Sequence, residues 1–347
     1  MDRDDGRTFS YGSTSSATAV AEQPQADMAD KGKPVLVTGA AGLVGIHTCR
    51  ELTRAGWKVR ALVRDKEKAV IALGQVPVDF RVGDVRDAAK VRAALRGCGA
   101  IVHLAAIAIE RKGEHYSDTN TAATDLLIEA ARLENVERLI FMSQNGAASK
   151  SPYSFLRSKG MAQDAVMNSG LKWTVLRPSV IFGAEDAFVN VLGRMIRLSP
   201  GVFPLPGGGT ARFQPIAVDD VARVLRLCLE KRETIGRTYQ LGGSIPLTLR
   251  QMTERILAAM GTSRRLVSVP VSAMKPLIAL AEKLLPNPPV TSSLLDLLAL
   301  DNTVPENALT EVFGIVPVPF AADELHYLQG ITAGSAFKSM MQRHRPG

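Results

Sequence analysis

From Pro34 onward, short apolar runs alternate with amphipathic stretches, and this alternation limits the fold more than any other feature of the chain. Residues 35–37, 58–64, 78–82, 100–104 and 138–143 have strand length and strand composition. Between them, residues 43–54 (ending near Gly56), 88–95 and 120–133 carry apolar side chains at helical spacing. Strand–helix–strand units cross over in the right-handed sense, which makes the strands parallel and puts helices on both faces. The expectation is an α/β fold with a doubly wound parallel sheet. After Gly183 the pattern changes. Pro200, Pro204, Pro206 and Gly207–Gly209 mark a substantial loop, followed by a helix at 218–231, a strand at 238–241 and a helix at 249–260. A Leu-rich helical segment, 271–300, is broken by Pro286, Pro288 and Pro289. This half reads as a smaller, mixed and mostly helical C-terminal lobe.

The first strand runs directly into Gly39-Ala40-Ala41-Gly42-Leu43-Val44-Gly45, and an amphipathic helix opens at once. Glycines at this spacing between a strand and a helix have a physical purpose. Gly39 permits a tight turn, Gly42 lets backbone approach a pyrophosphate, and Gly45 allows close packing of the helix. The helix N-terminus offers unpaired N–H groups and the positive end of its dipole. The loop therefore predicts a bound dinucleotide in a Rossmann-type domain spanning 34–183, with 184–347 as the lobe that shares elements with its sheet. Cofactor choice reads from the second strand, whose end holds a carboxylate in chains that accept the two ribose hydroxyls of NAD. Here Val63 falls at that place and Arg64 follows. A guanidinium suits a 2′-phosphate through paired hydrogen bonds, so NADP(H) is favoured over NAD(H). The competing interpretation of Arg64 is a solvated surface charge, and the adjacent Asp65 weighs toward it.

Residues 1–33 are rich in Ser, Thr, Ala, Gln, Asp and Gly without apolar periodicity, and read as a disordered leader. Its acids (Asp2, Asp4, Asp5, Glu22, Asp27) argue against a mitochondrial presequence, and it has no apolar core for secretion. No apolar run reaches the ~20 residues that a membrane span needs. The net charge of +8 comes from scattered Lys and Arg with no basic run interleaved with aromatics, which argues against nucleic acid. Cys49, Cys98 and Cys228 are far apart, fit a reducing compartment and suggest neither a disulfide framework nor zinc. His47, expected on a helix surface, His103 and His115 make no metal-ligand spacing, so no metal is expected.

Taken with four later segments, the glycine loop resembles that of the extended and atypical short-chain dehydrogenase/reductases. Gly83-Asp84-Val85-Arg86-Asp87 is similar to the segment after that family's third strand, and implies contact of Asp84 and Val85 with adenine. His103-Leu104-Ala105-Ala106 resembles the fourth-strand end beside the cofactor. Leu176-Arg177-Pro178-Ser179-Val180-Ile181-Phe182-Gly183 resembles the strand and loop beside the nicotinamide, implying roles for Pro178 and Val180. Residues 214–222 resemble a later strand-to-helix junction of the family. The resemblance covers about 34–243.

The family's working group is Tyr-x-x-x-Lys at a helix start, with Ser or Thr on the preceding strand end. Here Tyr153-Ser154-Phe155-Leu156-Arg157-Ser158-Lys159 occupies that place. Counting back from Lys159 reaches Phe155, which has no acidic proton. Counting forward from Tyr153 reaches Arg157. The resemblance implies that Lys159 keeps a ribose contact, with Tyr153 as a displaced candidate proton donor. Met142-Ser143-Gln144-Asn145 replaces the Ser/Thr cluster, leaving Ser143 as its candidate member and Gln144 nearest the expected position.

One branch tolerates such losses: the NADPH-binding accessory subunit of respiratory complex I and its bacterial relatives. Residues 169–179, 203–215, 238–243, 301–304 and 313–315 resemble it. Two functions follow. One is a structural or regulatory nucleotide binder, with a membrane-complex protein as partner and a place in the cytoplasm, peripheral at the inner membrane. The other is an NADP(H)-dependent oxidoreductase or epimerase acting on a quinone-like, isoprenoid-like or sugar-nucleotide substrate. Residues 270–300 would dock on a surface in the first and line a pocket in the second. Ordinary helix-core packing of Ala273, Met274, Leu277, Ile278 and Leu280 is expected ahead of both.

Overall fold

The computed structural model describes residues 29–110, 113–285, 288 and 290–341. Most of the expected leader, and Pro286 and Pro289 of the expected helix break, lie outside the described residues.

Six strands and five helices alternate through the first half: β1 (Val35–Thr38), α1 (Leu43–Arg54), β2 (Val59–Val63), α2 (Lys66–Leu73), β3 (Val78–Val82), α3 (Ala88–Leu95), β4 (Ala100–His103), α4 (Ala123–Leu133), β5 (Arg138–Met142), α5 (Ser154–Met167) and β6 (Lys172–Pro178). Helix α6 (Val189–Leu198) and helix α7 (Val218–Glu230) follow, and β7 (Arg237–Leu241) returns to the sheet beside β6. The seven strands are parallel in the order β7-β6-β5-β4-β1-β2-β3. The order reverses between β1 and β4, which opens a crevice at their carboxyl ends.

Strand alternation decides which helix meets which face. On β1, Val35 and Val37 pack with Ile46, Cys49 and Leu52 of α1 and Val221 and Val224 of α7. Leu36, pointing the other way, joins Val91 and Leu95 of α3, Leu127 and Ala131 of α4 and Val166 of α5. Both faces of the sheet are thus apolar, as buried parallel strands require. Cys49, Cys98 and Cys228 are free and buried in these two cores.

Several elements differ from the sequence reading, among them the loop expected at 200–209, where Val202–Pro206 forms a strand paired in parallel with Arg265–Val269. The helix expected at 120–133 starts as a π-helical turn, Ser117–Ala122, before α4 begins. Helix α2 has weak apolar periodicity and forms because Asp65 caps it, accepting a hydrogen bond from the Lys68 backbone N–H at 3.1 Å.

The lobe has a core of its own, built from α6, α8 (Leu249–Ala259), Phe203, Phe213, Leu298 and Phe320. Its Leu-rich segment forms α9 (Val271–Leu284) and α10 (Ser292–Leu298). Core packing of α9 is overturned: the helix has no buried residue, and Leu277 is 70% exposed. Leu295 and Leu298 of α10 bury themselves in its stead, and α9 lies against α10 outside the lobe's core, tied to it by the pairs Lys275 with Asp296 and Glu282 with Ser292. The chain goes on through α11 (Ala308–Glu311) to α12 (Ala333–Met341). No helix among the described residues is long and apolar enough to cross a membrane.

Candidate functional site

The turn from β1 to α1 is shaped by glycine at two positions. Gly39 has φ +67°, and a Cβ there would lie 2.8 Å from the Ala105 backbone nitrogen. A Cβ on Gly45 would lie 2.2 Å from the Gly39 carbonyl oxygen, so α1 reaches the loop only because residue 45 lacks one. Gly42 is the N-cap of α1 in extended conformation and makes no side-chain cap, leaving the helix's first N–H groups available to an anion.

These residues wall a cavity of about 530 Å³. It gathers Gly39, Ala41 and Gly42 with Arg64, Asp84, Val85, Leu104, Ala105 and Ala106, all expected at the dinucleotide from sequence, and adds Lys68 and Arg86. Leu43, Val44 and Gly45 form the first turn of α1 behind the loop. Backbone and small side chains make the wall where a pyrophosphate would lie, and cations stand at the adenosine end. The donor set fits a dinucleotide.

A hydrogen-bond chain beneath the crevice holds its two edges together. Thr124 Oγ1 donates to the Asn120 carbonyl at 2.8 Å, so it is the acceptor for His103 Nε2–H at 3.1 Å. His103 Nδ1 then accepts from Thr38 Oγ1 at 2.7 Å, and Thr38 Oγ1 in turn accepts from the Leu104 and Ala105 backbone N–H groups. Burial, and then the nearby Lys159 ammonium, push the His103 pKa down to about 3, which keeps the ring neutral in this chain of bonds. Asn120 ties the next segment down: its Oδ1 accepts from Ile107 N–H at 2.8 Å, while Nδ2 donates to the Ile107 carbonyl and to Ser158 Oγ. Sequence reading missed Asn120 and Thr124 as site-forming residues. A buried Asn and a buried Thr inside an otherwise apolar helical pattern were the available signal.

At the adenosine end, the Arg64 guanidinium donates to Glu114 Oε1 at 2.5 Å. Arg86 grips Asp84 with two nitrogens, at 3.0 and 2.7 Å, and this pairing holds the Asp84 carboxyl below the usual range. His47, expected on a surface, is largely buried instead: α7 packs on α1 there, and Asp219 Oδ1 lies 2.6 Å from His47 Nδ1.

The expected catalytic group divides in two. Phe155 and Tyr153 line a second cavity, of about 690 Å³, with Gln144 and Val180. Lys159 and Ser143 lie behind its wall and are buried. Lys159 Nζ donates to the Met142 carbonyl at 2.7 Å and sits 4.6 Å from the centre of the Phe141 ring. Burial pushes its pKa down to about 7. Among the described residues, Ser143 Oγ is buried with no hydrogen-bond partner. The Phe155 ring packs against Tyr116, whose hydroxyl donates to the Ala108 carbonyl. Gly160 presses α5 onto the loop after β5, since a Cβ there would lie 2.1 Å from the Ala148 carbonyl carbon. Pro178, expected beside the nicotinamide, is a buried residue at the end of β6.

The second cavity adjoins the first across residues 104–109, with Ile107 on one wall and Ile109 on the other. Val191, Met195 and Leu198 of α6, Leu294, Leu297 and Leu298 at α10, and Leu156 give it an apolar lining. Asp186 reaches it, but its carboxylate is spent on capping α6, accepting from the Val189 and Asn190 backbone N–H groups and the Tyr327 hydroxyl. Among the described residues, no group of three His, Cys, Asp or Glu side chains is placed to hold a metal ion.

Comparison with known proteins decides the family. A family model described as NAD(P)H-binding matches residues 39–232, more than half of the chain. The chain belongs to this NAD(P)H-binding family. It is 30% identical over 290 residues to the Arabidopsis thaliana protein named NADH dehydrogenase [ubiquinone] 1 alpha subcomplex subunit 9, mitochondrial, covering 79% of this chain and 71% of that one. It is 26% identical over 334 residues to the 2-alkyl-3-oxoalkanoate reductase of Stenotrophomonas maltophilia, covering 86% and 99%. In structure it is similar to the Thermus thermophilus UDP-glucose 4-epimerase solved with NAD, with a TM-score of 0.64 at 22% identity over 86% of this chain and all of that one. This last likeness shows the fold, and the family match and the sequence relatives show that the chain is an NAD(P)-binding, short-chain dehydrogenase/reductase-like protein.

Proposed function

We propose that this protein holds NADP(H) as a structural or regulatory ligand and that its Tyr-x-x-x-Lys position is degraded beyond ordinary hydride chemistry. The observation that carries this is Phe155. Its ring lines the cavity beside the dinucleotide crevice, at the helix start where a phenol would exchange a proton with substrate. The glycine loop, Ala105 and Ala106 would carry the pyrophosphate, Asp84 and Val85 the adenine, and Arg64 the 2′-phosphate. A bound nicotinamide would supply hydride chemistry, but a ketone partner also needs a proton delivered to its oxygen and an alcohol partner needs one removed from it. Lys159 does not provide it, because its Nζ is buried on the Met142 carbonyl behind the wall. The likeness to the mitochondrial NADH dehydrogenase subunit supports a matching role as a subunit of such a complex, and a cytoplasmic placement peripheral to the inner membrane is part of the same proposal.

The apolar cavity supports a second reading, reduction of an alkyl ketone or quinone-like substrate, in line with the likeness to the 2-alkyl-3-oxoalkanoate reductase. Tyr153 at the cavity wall would then be its proton donor. The full chain, assayed for NADPH binding by calorimetry and for NADPH oxidation with alkyl ketones and quinones, separates the two. Stoichiometric binding without oxidation supports the first. Oxidation that Tyr153→Phe abolishes establishes the second.

A further inference from the structure

The dinucleotide cavity opens outward into a shallow concavity of about 750 Å³, walled by Arg64, Asp65, Gly83, Asp84, Arg86 and Glu114. Lys66 lines it too, and three cations at or beside it are each paired with a carboxylate: Arg86 with Asp84 at 2.7 Å, Arg64 with Glu114 at 2.5 Å and, on the dinucleotide-cavity side, Lys68 with Asp65 at 3.2 Å. Two of these carboxylates are also fixed by backbone. Asp65 caps α2, and Asp84 accepts from the Arg86 backbone N–H at 2.9 Å. Glu114 differs. Among the described residues its hydrogen-bond donor is Arg64, and it follows Gly113, whose φ is +81°. Glu114 is 8% exposed, and the Arg64 side chain keeps 41% of its surface open at the cavity.

We propose that Glu114 is a selectivity residue: its Oε1 already holds Nη1 of the Arg64 guanidinium, so the 2′-phosphate of NADP(H) must compete with a carboxylate that NAD(H) leaves in position. The inference rests on the dinucleotide reading above. A phosphate gripping the Arg64 guanidinium through a pair of N–H groups either takes Nη1 from Glu114 or crowds a second anion onto the same cation, so the two compete. A displaced Glu114 loses its counter-charge while standing beside a phosphate and Asp84, and that cost falls on NADP(H) alone. Arg86 also feels the Glu114 charge but stays committed to Asp84. The native chain therefore prefers NADP(H) less than Arg64 alone would dictate.

Titration calorimetry of the full chain with NADPH and with NADH, at fixed ionic strength, tests this. Glu114→Gln keeps the shape and removes the charge. It should tighten NADPH about tenfold, the scale of one charge-assisted pair, and leave NADH within about twofold. The gain should vanish in an Arg64→Gln background. Glu114→Asp, one methylene shorter, should move NADPH in the same direction and covers the case in which Glu114→Gln does not fold. A weakened NADH with NADPH unchanged would overturn the proposal, because Glu114 would then be accepting ribose hydroxyls. Equal changes in both cofactors, or none, would overturn it too. A native chain that binds neither cofactor sinks the dinucleotide reading itself, a failure that binding without a Glu114 effect does not share.

Discussion

Two cavities lie side by side along the carboxyl edge of one sheet, and they are built by opposite means. The dinucleotide cavity is made largely at the strand ends: the glycine loop after β1 and the segments after β2, β3 and β4. The second cavity is made of side chains from α5, α6 and α10, elements far apart in the chain. The first places N–H groups and cations where phosphate charge would lie. The second places mostly hydrocarbon, and Asp186, the buried one of its three lining carboxylates beside Glu185 and Asp301, is absorbed in capping a helix. A fold can therefore keep the first, geometry-dependent half of a dehydrogenase site while the second half drifts, because no backbone constraint links them.

The largest expected effect attacks the geometry of the first cavity. Gly45→Ala puts a Cβ 2.2 Å from the Gly39 oxygen and has to push α1 off the loop. If overpacking of about 1–3 kcal/mol falls on the bound geometry, NADPH binding weakens by roughly 5- to 150-fold in calorimetry. Binding unchanged by this substitution would mean that the loop is not the phosphate cradle. Val191→Trp attacks the other cavity. It should abolish uptake of a fluorescent alkyl ketone while leaving the NADPH dissociation constant within about twofold, since Val191 lines the second cavity and not the dinucleotide cavity. A large shift in NADPH affinity would show that the two cavities work as one.

The buried polar groups beneath the crevice give a subtler contrast. Below about pH 6.5 an unfolded chain protonates His103, but the folded chain resists until about 3, so stability should fall as pH drops through this window. Lys159 acts at the other end. The unfolded chain keeps its proton up to about 10.5 and the folded chain releases it near 7, so stability should rise with pH between those values. Chemical denaturation across pH should show both slopes. Lys159→Met should remove the alkaline one, which approaches one proton at most. An unchanged alkaline slope would mean that Lys159 is solvated in the folded chain.

Legibility from sequence follows the same division. Local chemistry was readable: the strand–glycine–helix transition gave the fold, and seven parallel strands carry it. Asp84, Val85 and Leu104–Ala106 were placed by motif, and they line one cavity with the glycine loop. Non-local packing was not readable. Leu277 and Leu280 have the same spacing as core residues, yet α10 fills the core and leaves α9 exposed. His47 looks like a surface residue on α1 until α7 brings Asp219 against it. Arg64 invited a phosphate from its strand position, but its carboxylate partner lies fifty residues away on the segment after β4. The roll of catalytic residues could be counted in the sequence. That Lys159 turns toward the Met142 carbonyl and away from the cavity could not.

The most direct test of the account is a crystal structure of the full chain with NADPH bound, read at the Ser143–Lys159 neighbourhood. The account predicts the 2′-phosphate on Arg64, the pyrophosphate on the 39–45 loop, and the Phe155 ring facing the space beside the nicotinamide with no hydroxyl within hydrogen-bond reach of a substrate oxygen there. A Tyr153 hydroxyl turned into that space, at hydrogen-bond distance from a bound substrate oxygen, would contradict it.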